Sequence, residues 1–161
     1  MNIKKQRILI VDDTVTNIQV LVPILMGTGK YEINIANNGR QALDLMKKVK
    51  PDLVLLDIMM PELNGYETCK IMKADDNYKD IPVIFLTAKN EVEDLVEAFE
   101  VGGADYVKKP FNATELMSRV KTQLELKLSY DLIKSHVKAL AETEEELRQK
   151  LTQMESELER A

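Results

Sequence analysis

The chain has 161 residues, of which 45% are hydrophobic and 30% charged, and this length and composition predict one globular domain with an extension and exclude a disordered chain. Its net charge of −5 gives no electrostatic reason to expect nucleic-acid binding by this segment. One cysteine excludes an internal disulfide, no apolar run approaches the roughly 18 residues of a membrane span, and the run before Asp12 is too short for a signal peptide, so we expect a cytoplasmic protein without membrane contact.

Short apolar segments alternate with longer segments of helical period. The predicted strands are, in chain order, Arg7–Val11, Tyr31–Ala36, Asp52–Leu56, Ile81–Leu86 and Ala104–Val107. Three of them are rich in Val, Ile and Leu without polar alternation, which is typical of strands buried on both faces of a parallel sheet. The predicted helices between the strands are Thr14–Met26, Gly39–Val49, Gly65–Lys73 and Glu91–Val101. This alternation predicts an α/β fold with a five-stranded, doubly wound parallel sheet.

The first predicted helix has one apolar face and an internal proline. Its face carries Val15, Ile18, Val22 and Leu25, which we expect to be buried. Pro23 removes a backbone donor from the same segment, and this favours a kink there.

The C-terminal segment has a different periodicity. Residues 111–161 contain neither Gly nor Pro, and one face repeats in steps of four and three. This heptad pattern is typical of a two-helix coiled coil. The a and d positions of the repeat are Leu126, Tyr130, Ile133, Val137, Leu140, Glu144, Leu147, Leu151, Met154 and Leu158. We therefore predict a domain at 1–125 and a coiled-coil signalling helix at 126–161.

The charges beside this seam favour a parallel homodimer, in which Lys150 at g and Glu155 at e attract each other. Glu144 occupies an a position and is expected to weaken the seam locally. A single amphipathic helix packed on its own domain is the alternative. Acidic residues without a cap crowd the last turns, so we expect the chain to continue into an output domain beyond Ala161.

Polar residues follow four of the five predicted strands. Asp12 and Asp13 follow the first, Asp57 the third, Thr87 the fourth and Lys109 the fifth. Ligands of open parallel sheets bind at the carboxyl ends of the strands. If strands one, three, four and five are neighbours, three carboxylates, a hydroxyl and an ammonium converge at one edge.

An all-oxygen cluster of three carboxylates favours a hard cation, Mg²⁺ first, because the carboxylates otherwise repel one another. Lys109 and Thr87 offer a point charge and a hydroxyl that suit an oxyanion such as phosphate. Phosphoryl transfer needs in-line positioning and charge neutralisation, and Asp57, placed between the other groups, is the natural acceptor.

Four motifs in this order closely resemble the receiver domain of bacterial two-component response regulators, over roughly residues 5–125. They are VDD at 11–13, LLDIMMPELNGYE at 55–67, LTA at 86–88 and KKPF at 108–111. The resemblance implies a flavodoxin-like, CheY-like fold. It also implies a phosphoacceptor signalling domain that catalyses its own phosphorylation and slow dephosphorylation, rather than an enzyme acting on a separate substrate.

The resemblance assigns a role to each site residue. Asp57 would accept a phosphoryl group from a sensor histidine kinase phosphohistidine or a phosphotransfer protein. Mg²⁺ would be bound by Asp13 directly, by Asp12 through water, by Asp57 and by the backbone carbonyl of Met59. Lys109, with a cis bond to Pro110, would contact the phosphoryl group. Thr87 and Tyr106 would form a switch pair that remodels the face of the fourth helix, fifth strand and fifth helix. Met59 and Lys89 occupy positions that influence phosphoryl loss in this family.

Simpler readings exist for single residues. Asp13 with Thr14 suits a helix N-cap, and Tyr106 suits a half-buried core residue. His136 is expected at the surface without a metal or phosphotransfer role, and Cys69 in the core or half-buried.

Two other functions require residues that this chain lacks. A haloacid dehalogenase phosphatase needs two acids separated by one residue after its first strand, whereas Asp12 and Asp13 are adjacent. A flavodoxin-like flavin carrier needs a Ser/Thr/Gly-rich loop where this chain has DDTVTN at 12–17. A degenerate receiver acting only as a dimerisation or interaction module is the main alternative, although Asp57, Lys109 and the acid pair are all present.

Overall fold

The computed structural model of the protein describes residues 4–88 and 92–161. Five strands alternate with five helices, with the bounds β1 Gln6–Val11, α1 Val15–Met26, β2 Tyr31–Ala36, α2 Gly39–Lys48, β3 Leu53–Asp57, α3 Gly65–Ala74, β4 Val83–Thr87, α4 Val92–Glu100, β5 Asp105–Lys108 and α5 Ala113–Arg160. All paired strands are parallel, in the order β2-β1-β3-β4-β5. The predicted five-stranded, doubly wound parallel sheet is therefore confirmed.

Helices cover both faces of the sheet. One apolar layer joins the sheet to α1 and α5 through residues such as Leu21, Leu25 and Leu116. The other joins it to α2, α3 and α4 through residues such as Met46 and Met72. Every residue of β3 and β4 is buried, as expected for strands that contact helices on both sides.

Two Asn-Gly pairs begin the helices on one side of the sheet. Asn38 accepts a hydrogen bond from Gln41 N at the start of α2. Asn64 forms a capping box with Glu67 at the start of α3. A Cβ at Gly65 would overlap the carbonyl oxygen of Asp57, so only glycine allows α3 to begin this close to the end of β3.

Several element boundaries differ from the sequence prediction by one or two residues, and one residue of a helix face is exposed where burial was expected. Strands β3 and β4 end one residue later, at Asp57 and Thr87, because these residues still pair with the neighbouring strands. On α1 the buried residues are Leu21 and Leu25, whereas Val15 is 65% exposed, since it lies in the first turn. Pro23 lies inside α1 as predicted. Glu91, the expected first residue of α4, lies outside the described residues.

Helix α5 extends without interruption from Ala113 to Arg160. The side chain of Asn112 accepts a hydrogen bond from Glu115 N at its start. The chain divides into two compact units, Met1–Lys127 and Leu128–Ala161. None of the helices among the described residues combines the length and apolar content needed to cross a membrane.

Candidate functional site

The polar residues predicted at the strand ends lie at one edge of the sheet. Asp12 directly follows β1, and Asp57 is the last residue of the adjacent β3. Thr87 ends β4 and pairs with Lys108, the last residue of β5. Because β1, β3, β4 and β5 are neighbours, the sheet brings together residues that are far apart in the chain.

Three carboxylates form the centre of this edge. Asp12, Asp13 and Asp57 each offer an oxygen within 4.8 Å of the others. Asp12 and Asp57 are buried, whereas Asp13 is exposed. Like charges this close repel each other, and burial removes the water that would screen them. The cluster is therefore suited to a cation.

Lys109 contributes an ammonium group to the same centre. Its Nζ lies 3.0 Å from Asp57 Oδ1 and 3.6 Å from Asp12 Oδ2. Its backbone N donates to Thr87 O at 2.8 Å, and the Lys109–Pro110 bond is cis, as predicted. One ammonium beside three carboxylates leaves the centre with excess negative charge.

Asp57 has an altered protonation equilibrium. Its pKa is raised from 3.8 to about 6, first by burial and also by the nearby Asp12 charge, while the hydrogen bond and charge of Lys109 oppose this shift. Met59 N also donates to Asp57 Oδ1, at 3.3 Å. Both contacts fall on the same carboxylate oxygen, Oδ1.

The sequence prediction missed two residues that hold Asp12. Thr14 N donates to Asp12 Oδ1 at 2.8 Å, and Asn17 Nδ2 donates to Asp12 Oδ2 at 3.1 Å. Of the predicted cap pair Asp13 and Thr14, Thr14 is the N-cap residue of α1, but its side chain makes no cap hydrogen bond. A sequence signal did exist: Asn17 lies in the first helical turn after the acid pair, and that turn faces the end of β1.

The predicted switch residues lie beside the centre. Thr87 is buried, and Tyr106 is half-buried and pairs with Phe85 in the sheet. The Tyr106 ring contacts Phe99 edge-to-face, with centroids 6.3 Å apart. The Arg119 guanidinium lies 5.6 Å from the same ring, and its Nη1 donates to both carboxylate oxygens of Asp105. Tyr106 therefore links β5 to α4 and α5.

The remaining candidate residues are separate from the centre or peripheral to it. Met59 is 63% exposed, and its backbone N donates to Asp57. His136 is exposed and Cys69 is buried, as expected. Lys89 lies outside the described residues.

Comparisons with known proteins agree with this geometry. The family model described as the response regulator receiver domain matches residues 8–121. The DNA-binding response regulator MtrA of Mycobacterium bovis is 40% identical over 124 residues, which are 77% of this chain and 53% of that protein. The chain thus spans about half the length of the curated relatives it matches.

Solved structures show the same fold. A putative response regulator from Chloroflexus aurantiacus is 37% identical, with a TM-score of 0.73 over 76% of this chain and 99% of that one. The receiver domain of sensor histidine kinase PA1611 from Pseudomonas aeruginosa is 30% identical, with a TM-score of 0.70 over 76% and 99% of the two chains. That structure has a magnesium ion coordinated in its active site cleft. With a flavodoxin-like, CheY-like sheet and this family match, the chain belongs to the response regulator receiver domain family of two-component signalling.

Proposed function

We propose that Asp57 accepts a phosphoryl group, in a Mg²⁺-dependent reaction, from the phosphohistidine of a sensor histidine kinase or phosphotransfer protein. The observation that carries this proposal is the position of Lys109, whose ammonium lies 3.0 Å from Asp57 Oδ1 beside two further carboxylates. A carboxylate nucleophile flanked by a fixed cation and by acidic cation ligands is suited to phosphoryl transfer.

In the proposed reaction an oxygen of Asp57 attacks the phosphorus atom, and a P–O bond forms as the P–N bond to the donor imidazole breaks. The bonding electron pair stays with the imidazole nitrogen, and the product is an acyl phosphate. Lys109 offsets the charge on the transferred oxygens, since its amine already lies 3.0 Å from Asp57 Oδ1. A bound Mg²⁺ supplies charge neutralisation at the phosphoryl oxygens.

The donor set fits this ion. Asp12, Asp13 and Asp57 are hard oxygen ligands, which Mg²⁺ prefers, and the Met59 carbonyl is proposed as a further ligand. Asp13, the exposed acid, is proposed as the direct ligand, and Asp12 as a ligand through water.

The same proposal includes a switch. When Thr87 draws toward the phosphoryl group, Tyr106 turns inward and leaves its contacts with Phe99 and Arg119. Because these two residues belong to α4 and α5, the change alters the face that α4, β5 and α5 share.

The coiled coil is the proposed means of assembly. The a and d residues of 126–158 are exposed hydrophobic side chains, apart from Glu144. An apolar stripe of this length requires a partner, and the Lys150–Glu155 charge pattern favours a second parallel copy of this chain. We propose that phosphorylation acts through this homodimer on a downstream output domain. For the chain of 161 residues as a whole, we propose a cytoplasmic location and no contact with nucleic acid. Its net charge of −5 and its free, buried Cys69 support this proposal.

The test is to incubate the protein with acetyl phosphate in the presence of Mg²⁺. The mass of the intact protein then shows whether one phosphoryl group has been incorporated. Wild type is expected to gain one group and Asp57→Asn none. Asp76→Asn, which removes an acid with a 94% exposed side chain, is the matched control and should label like wild type. Labelling of Asp57→Asn would exclude Asp57 as the acceptor. An unlabelled wild type that still dimerises would favour the degenerate receiver.

A further inference from the structure

We infer that Asn17 is a positioning residue that fixes the orientation of the metal-site carboxylate of Asp12. The inference rests on the proposed function, because it assigns Asn17 a part in binding the divalent cation. Asn17 lies on α1, whereas the three carboxylates of the predicted metal site lie at the ends of β1 and β3 or just after them.

Both oxygens of the Asp12 carboxylate accept a hydrogen bond. It is fully buried, so its charge needs hydrogen-bond donors within the protein. Thr14 N contacts Oδ1 at 2.8 Å, and the Asn17 amide contacts Oδ2 at 3.1 Å. Rotation of the carboxylate about its Cβ–Cγ bond would break both contacts. The two donors therefore fix the plane in which the oxygens of Asp12 face the cluster.

The oxygen that Asn17 contacts is also the one that faces Lys109. Lys109 Nζ lies 3.6 Å from Asp12 Oδ2 but 3.0 Å from Asp57 Oδ1, so its shorter contact is with the acceptor. Without the Asn17 donor, Asp12 Oδ2 would have only this ammonium as a partner among the described residues. Asp12 would then turn toward Lys109 and away from the orientation that serves the cation.

The chemistry of the amide suits this role. Asn supplies a hydrogen-bond donor without a positive charge, so it holds the carboxylate and leaves the negative charge of the cluster for a metal ion. Arg or Lys at position 17 would hold Asp12 as well but would oppose cation binding. Groups that orient a ligating carboxylate typically affect metal affinity by about 10–100-fold.

The alternative is a purely structural role, in which Asn17 only satisfies a buried charge. That role predicts a loss of folding stability with no change in metal affinity. The two roles therefore separate in a direct binding measurement on the full chain.

The experiment measures Mn²⁺ binding to the unphosphorylated protein by the electron paramagnetic resonance signal of the free ion. Asn17→Leu removes the donor and keeps a side chain branched at Cγ, and Asn17→Gln keeps an amide as the conservative rescue. Gln19→Leu makes the same kind of change at an exposed position of α1 and is the matched control. We expect the Mn²⁺ dissociation constant to rise about tenfold in Asn17→Leu, to recover at least partly in Asn17→Gln and to stay unchanged in Gln19→Leu.

A second readout separates metal affinity from chemistry. In acetyl phosphate labelling, Asn17→Leu should raise the Mg²⁺ concentration that gives half of the maximal rate by about tenfold while the rate at saturating Mg²⁺ stays near wild type. If Asn17→Leu does not fold, as judged by circular dichroism, Asn17→Ser takes its place, because its shorter side chain does not reach Asp12. A folded variant with wild-type Mn²⁺ affinity would overturn the role of Asn17. A wild-type protein without Mn²⁺ binding would instead overturn the proposed function.

Discussion

Lys109 Nζ lies 3.0 Å from Asp57 Oδ1, although 52 positions separate the two residues in the chain. The contact depends on the pairing of β3 with β4 and of β4 with β5, which places the ends of these strands side by side. Lys109 therefore has two roles: it pairs with the carboxylates when no ligand is bound, and it is in place to contact a group transferred to Asp57.

Replacing Lys109 tests this second role. Lys109→Ala should lower the maximal rate of labelling by acetyl phosphate by about 10²–10³-fold, because a fixed charge beside the transferred oxygens is lost. Metal affinity should not fall, since the variant removes a cation that competes with the metal ion. Lys108→Ala, at the exposed neighbouring position, is the control and should label normally. A Lys109→Ala rate within about tenfold of wild type would contradict the assignment.

The raised pKa of Asp57 predicts a pH dependence of stability in metal-free protein. Burial first, and then Asp12, raise this pKa to about 6 from the ordinary 3.8, so the folded state binds a proton more tightly than the unfolded state. The cost of the charged form is absent below pH 3.8, grows between 3.8 and 6 and is complete above 6. Lowering the pH from 7 to 5 should therefore reduce the destabilisation that this group causes.

Asp57→Asn checks this prediction. At pH 7 in EDTA the free energy of unfolding of the variant should exceed that of wild type by about 1–2 kcal/mol. This difference between the two proteins should shrink toward pH 4. Urea denaturation at several pH values measures both quantities. Asp76→Asn serves as the exposed control. Equal pH slopes for wild type and Asp57→Asn would show that Asp57 does not titrate in this range.

Substitutions at two exposed leucines of α5 test whether the predicted heptad seam, rather than another face of the helix, forms the dimer. Leu140 is 69% exposed at a d position, and Leu132 is 61% exposed at a c position, away from the predicted seam. Leu140→Glu should abolish the dimer at tens of micromolar, whereas Leu132→Glu should leave it intact. Light scattering gives the mass of each variant. Equal effects of the two substitutions would exclude the heptad seam, and a monomeric wild type would exclude the dimer itself.

Glu144 is the one charged residue at the a and d positions from 126 to 158. Its carboxylate pairs with Arg148 of the same helix at 2.9 Å, which leaves two such groups facing each other in a parallel dimer. Glu144→Leu should therefore lower the dimer dissociation constant by about tenfold or more, measured by sedimentation equilibrium. Glu145→Leu, one position away from the seam, is the control. A weaker dimer in Glu144→Leu would show that the charge supports the assembly.

Gly65 couples the fold to the site. A Cβ there would overlap Asp57 O and lie 2.8 Å from Ile58 Cα, so Gly65→Ala must displace the end of β3. We expect a loss of about 2 kcal/mol or more in unfolding free energy and slower labelling of Asp57. Gly29→Ala introduces strain at a φ of +68° in open space and should cost about 1 kcal/mol without changing labelling. Unaltered labelling in folded Gly65→Ala would contradict this coupling.

Local pattern was enough to predict much of the fold. The apolar segments now seen as β1, β3 and β4 are short, unbroken and buried on both faces, so alternation with amphipathic helices leaves few arrangements other than a parallel sheet. The long α5 follows from the absence of Gly and Pro after Pro110. Val15 is exposed although it shares the apolar face of α1, because periodicity gives the apolar face of a helix but not how far the sheet extends beneath it.

The sequence by itself determined which residue types stand at the strand ends, because a strand's own composition marks where it stops. Only the tertiary structure decided that Asp12 and Asp57 are buried while Asp13 is exposed, and that Asn17 reaches Asp12 from the adjacent helix. These distances depend on pairing between distant strands and on helix packing across the sheet. Burial then decides the pKa of Asp57, since the cost of a charge depends on the surrounding protein rather than on neighbours in the chain.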